Sequence, residues 1–163
     1  VIISTRPTPG SVDVRANYWA LWQCADNILR FREEYPRGFQ ILDRHLGYKV
    51  RPAWVFVARD RGRYALITAV RNDGCAWPPG ILRIQLANEE GTLKLGGGFE
   101  PGTPAPSQVQ QGRIILPEGI DWQGLKLSAE IEINGIRHPV RWACYEPLNP
   151  DGSLTLRPTN GLR

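Results

Sequence analysis

The sequence predicts a mostly β chain, an antiparallel β-sandwich of Ig-like or jelly-roll type preceded by one or two N-terminal helices. Three observations carry this. Apolar residues recur at helical spacing only before Tyr48. Beyond it they alternate in short runs separated by Gly and Pro turns. Two of these runs flank Asn134-Gly135, a dipeptide suited to the tight turn of a β-hairpin.

Residues 1–16 hold Pro7, Pro9, Gly10 and Ser11 and read as a linker or extended arm. Residues 17–47 read as a helical segment. From Asn17 to Glu34, Tyr18, Leu21, Trp22, Ala25, Ile28 and Leu29 form one apolar face. Tyr35-Pro36 ends that helix, because the residue before proline avoids the helical region. Phe39, Leu42 and Leu46 mark a second short helix that Gly47 caps. Residues 48–163 read as the sandwich, with strands at Trp54–Ala58, Tyr64–Arg71, Ile81–Ala87, Thr92–Leu95, Gly112–Leu116, Leu125–Ile133, Ile136–Tyr145 and Ser153–Leu156.

The Asn134-Gly135 turn fixes a register. Ile133 pairs with Ile136, which sets Glu132 across from Arg137, Ala129 across from Val140, Leu127 across from Trp142 and Leu125 across from Cys144. Pro139 then falls in a non-hydrogen-bonded pair, which predicts a sheet edge or bulge there.

Composition narrows the function. The 163 residues are 42% hydrophobic and 22% charged, ordinary for a packed single domain. The net charge of +4 is scattered rather than gathered into a stripe, so nucleic acid is not an expected partner. No run of about 18 apolar residues suggests a membrane span. The chain has no Met and opens on Val1, which reads as a piece of a longer polypeptide. Cys24, Cys75 and Cys144 have no C-x-x-C spacing and no nearby His, so they read as buried thiols; no metal and no cofactor is expected.

No catalytic residue is assigned. The sequence lacks a G-x-S-x-G elbow, an H-E-x-x-H motif and a P-loop, and Leu95-Gly96-Gly97-Gly98-Phe99 reads as a flexible loop. His45 and His138 lie in different elements. Asp60, Asp73, Glu89, Glu90, Glu100, Glu118 and Asp121 sit mostly in turns, where short polar side chains bond the local backbone. The six tryptophans are the unusual feature. Trp54 and Trp142 fall on strands and are expected in the core; Trp22 belongs to the helix face. Trp77 and Trp122 fall in loops, where they could stack on the apolar faces of sugar rings or simply cover the open ends of the sandwich. Trp19 lies off its helix's apolar face, free for another surface.

His45-Leu46-Gly47-Tyr48-Lys49 and Asn72-Asp73-Gly74-Cys75-Ala76-Trp77-Pro78 resemble bacterial glycosidase-like proteins that join a TIM barrel to a C-terminal β-sandwich. In those, an L-G-Y-R segment enters the sandwich and an N-x-G-x-A-P loop follows the second strand. Pro139-Val140-Arg141-Trp142-Ala143 is similar to the family's closing strands. The resemblance covers roughly residues 40–160. Lys49 replaces the family's Arg, and Trp77 is inserted before Pro78.

The resemblance implies a non-catalytic accessory module of a glycoside hydrolase-like protein, secreted or periplasmic, with the catalytic carboxylates on the barrel. The expected partners are that barrel and a carbohydrate. Trp77 and Trp122 are then the expected sugar contacts and Trp19 the expected interface residue. A purely structural buttress and a small stand-alone glycan-active enzyme are the alternatives.

Overall fold

The computed structural model describes residues 25–60, 62–89, 91 and 94–158. The expected linker at 1–16 and the part of the expected helix before residue 25, with Trp19 and Trp22, fall outside the described residues. Two helices, α1 (Ala25–Glu34) and α2 (Pro36–His45), meet at Tyr35-Pro36 as the proline requires. They join through Phe31, whose ring lies 5.5 Å from that of Tyr35 and 6.5 Å from that of Phe39. Leu29, expected on the apolar face, is exposed. After α2, Gly47 takes the left-handed conformation (φ 77°) expected of its cap.

Among the described residues eight strands follow: β1 (Val50–Asp60), β2 (Arg63–Asn72), β3 (Ile81–Ala87), β4 (Lys94–Gly98), β5 (Val109–Ile115), β6 (Lys126–Ile133), β7 (Ile136–Val140) and β8 (Leu154–Thr155). They form two antiparallel sheets. One has the order β1-β2-β5. The other has the order β4-β3-β6-β7, with β8 also on β6. The expected sandwich architecture is thus present, with the helices on its N-terminal side.

Alternation places the core. Leu66 and Val70 of β2, Leu82, Ile84 and Leu86 of β3, and Leu127, Ala129 and Ile131 of β6 all point between the sheets and are buried. Trp142 joins them at 2% exposure, its indole Nε1 donating to the Leu127 carbonyl at 2.9 Å. The hairpin register is the one read from sequence. Asn134 (φ 51°) and Gly135 (φ 78°) form the turn, Glu132 faces Arg137, and Pro139 sits opposite Glu130 on an edge strand.

Four expectations need correction. β7 stops at Val140 rather than Tyr145, because the chain leaves this sheet so that Trp142 fills the core and the Ala143 amide bonds the Val50 carbonyl of the other sheet. β8 takes the freed edge, so Leu127 faces Leu154 rather than Trp142. The glycine run is not a loop. It lies in β4, which spans Lys94–Gly98 where Thr92–Leu95 was expected, and a Cβ on Gly96 would lie 2.4 Å from the Ile84 carbonyl. Trp54 is not core. A register shift between Pro52 and Trp54 sends its side chain to the outer face, 46% exposed.

Candidate functional site

The two motifs behind the resemblance meet in space, and the residue that joins them is Asn72. Its side chain is fully buried and makes four hydrogen bonds. Oδ1 accepts from the Lys49 and Gly74 amides, each at 3.0 Å, and Nδ2 donates to the Ala76 carbonyl at 2.8 Å and the Pro104 carbonyl at 3.1 Å. The Cys75 amide bonds the His45 carbonyl and the Ala76 amide bonds that of Gly47. Gly74 is required by proximity, since a Cβ there would lie 2.2 Å from the Gly47 carbonyl oxygen. The L-G-Y-K and N-D-G-C-A segments therefore form a backbone clasp at one end of the sandwich, with a structural task of their own.

Asp73 projects from the clasp between Arg51 and Arg71, its two oxygens each accepting from one Nε. Burial pushes its carboxyl up, but the two guanidinium groups outweigh this and hold it below the usual carboxylate range. Beside it lies a cleft of about 650 Å³ lined by Arg44, His45, Arg51, Asp73, Cys144 and Glu146. A thiol, an imidazole and two carboxylates here invite a nucleophilic reading. The Cys144 thiol is, however, pushed up by burial and by Glu146, the reverse of an activated nucleophile. His45 Nδ1 lies 3.4 Å from the Asp73 carbonyl oxygen, a long contact. Among the described residues no group of three or more His, Cys, Asp or Glu could hold a metal, and no helix is long and apolar enough to cross a membrane.

The loop tryptophans lie at opposite ends. Trp77 is in the β2–β3 connection at the clasp end and is 42% exposed. Trp122 is in the β5–β6 connection at the other end, where Leu116 bonds back to Tyr64, and it packs against the core. They do not form one platform.

The outer faces of the two sheets differ sharply. On the four-strand path, the outer face carries paired polar side chains: Arg83 Nε donates to Glu132 at 2.6 Å, Gln85 to Glu130 at 2.6 Å, and Arg137 approaches Glu132 at 3.5 Å. On the three-stranded sheet the outward rows are Trp54-Ala69-Gln111, Phe56-Ile67-Arg113 and Ala58-Ala65-Ile115. Trp54, Phe56 and Ile115 are 46%, 49% and 43% exposed. Both aromatics belong to β1, two residues apart, and so stand on one face in one column. Neither was expected as a site residue. The alternation Trp54, Phe56, Ala58 against Val55, Val57 was legible, but both halves are apolar and the sequence does not say which faces in.

Comparison with known proteins finds no family model, no curated protein and no solved structure that matches this chain.

Proposed function

We propose that this chain is a non-catalytic accessory β-sandwich module that docks against an adjoining protein domain through the outer face of its three-stranded sheet. The motif resemblance suggests the barrel of a glycosidase-like protein as that domain. One observation carries the reading. A half-exposed antiparallel sheet normally turns polar residues outward. The β4-β3-β6-β7 path obeys this with an ion-paired surface, whereas the β1-β2-β5 sheet presents Trp54, Phe56, Ile67 and Ile115. Contiguous apolar surface of this kind marks an interaction site.

A second reading, carbohydrate binding, is favoured by the Trp54-Phe56 column, which has Gln111 and Arg113 two strands away as polar partners. An aromatic face beside polar side chains is what a sugar ring requires. Trp77, exposed in its loop, is a separate candidate contact.

The test runs the chain and its Trp54→Ser/Phe56→Ser variant through gels containing plant and bacterial polysaccharides, with a hydrophobic dye assay and chromogenic glycosides in parallel. Docking predicts no retardation, no turnover, and dye binding that the double substitution abolishes. Retardation lost in that variant transfers the face to carbohydrate. Retardation lost instead in Trp77→Ala moves the sugar site to the loop. Turnover by the pure chain overturns the non-catalytic reading.

A further inference from the structure

The edge of β1 points to a second copy of this chain. The Leu116 amide bonds the Tyr64 carbonyl and the Asn72 amide bonds the Gln108 carbonyl, so the even-numbered residues of β2 turn their backbone groups toward β5. The odd-numbered ones turn toward β1, where they meet Trp54, Phe56 and Ala58. Val55, Val57 and Arg59 must therefore direct their N–H and C=O groups away from the sheet. Among the described residues, no backbone group bonds them there.

This free edge has definite limits. At one end stand Pro52, which has no N–H to offer, and Val50, whose carbonyl is taken by Ala143. At the other the chain turns back at the Asp60–Arg63 pair. The open window is 53–59, and its centre is Phe56. The other edges are better guarded: β7 carries Pro139, β8 has two residues, and β4 runs beside β5 where the sheets approach.

We infer that β1 pairs antiparallel with β1 of a second copy across a two-fold axis at Phe56, joining two three-stranded sheets into one of six. That register uses the whole window. It sets Phe56 against Phe56 of the second copy in the close, non-hydrogen-bonded position, Trp54 against its Ala58, and Val55 against its Val57. On the outer face Trp54 meets a small partner and the two Phe56 rings meet each other, and no like charges oppose, since Arg59 meets Ala53. The two Val55–Val57 pairs supply about four main-chain hydrogen bonds. This goes beyond the docking reading: it uses the strand's edge, whatever covers the sheet's face.

A strand-to-strand contact of this length is small beside the ~1,000 Å² of a stable interface, so weak association is expected. Sedimentation of the full chain between about 5 and 500 μM should show monomer passing to dimer. Phe56→Arg and Phe56→Glu each place like charges at the two-fold axis on an exposed position and should each weaken association about tenfold or more, with unchanged melting temperature. Mixed one to one, they should restore it. Amide exchange at Val55, Val57 and Arg59 should slow as concentration rises. A wild-type chain that stays monomeric overturns the pairing, as does a mixture that fails to associate. Association that leaves the Val57 amide unprotected means that faces stack rather than edges pair, and also overturns it.

Discussion

Replacing Asn72 by Ala tests whether the clasp holds this end of the sandwich together. The substitution strands two amides, Lys49 and Gly74, and two carbonyls, Ala76 and Pro104, at a fully buried site. At a net value of about 1 kcal/mol per bond, the loss is about 4 kcal/mol. With a urea slope of about 2 kcal/mol/M, the unfolding midpoint should fall by about 2 M. Asn72→Asp sharpens the test. It keeps the acceptor facing Lys49 and Gly74 but turns a second acceptor, with charge, toward the two carbonyls. Burial and the two facing carbonyls favour the protonated carboxyl, whose O–H can donate to one of them, and this raises its folded pKa against the opposing pull of the two amides. The variant's deficit should therefore be smallest below about pH 4 and grow as pH rises. The assay is urea unfolding followed by tryptophan fluorescence across pH. An Asn72→Ala cost under about 1 kcal/mol, or an Asn72→Asp deficit that shrinks as pH rises, would refute the clasp's energetic role.

Gly74→Ala drives a Cβ into the Gly47 carbonyl, 2.2 Å away, and should cost about 3 kcal/mol or more in the same assay; because it breaks the clasp that Asn72→Ala breaks, the double variant should lose less than the sum. Thr68 is fully buried and, among the described residues, its Oγ1 has no hydrogen-bond partner, so Thr68→Val should stabilise by about 1 kcal/mol and raise the calorimetric melting temperature by about 2–4 °C. The Asp73 carboxyl lies below its unfolded value, so its contribution is full above about pH 4 and is lost as pH falls through the folded pKa. Asp73→Asn should therefore lower stability at neutral pH and flatten the acid limb of the pH–stability curve.

The β6–β7 register was legible because Asn134-Gly135 determines it locally, and alternation then places Leu127, Ala129 and Ile131 inside. The end of β7 was not legible. Pro139-Val140-Arg141-Trp142-Ala143 looks like a continuing strand, and only the tertiary need to fill the core with an indole turns it from one sheet to the other. The glycine run was misread because glycine is a poor strand former in isolation. In place, Gly96 follows from the close approach of the β3 backbone, a long-range fact.

The candidate site raises a different problem. On β1 both alternating sets are apolar, so hydrophobicity alone cannot assign inside and outside; the bulge after Pro52 and the pairing with β2 decide it. A strand that is apolar on both faces reads as fully buried, and Trp54, expected in the core because it falls on a strand, lies on its outer face. The exposed Trp54 and Phe56 thus invert the usual inference. The residues that looked most like motif, Asn72 and Gly74, are occupied in holding the backbone, with every polar atom of the Asn72 amide bonded. Trp54, which was expected in the core, stands outside with Phe56 beside it, each about half exposed. Apolar surface left outside costs solubility without adding to the core, whereas a clasp contributes stability whether or not a partner exists. The outer face of β1-β2-β5, rather than the motif that suggested a family, is therefore where an interaction should be sought first.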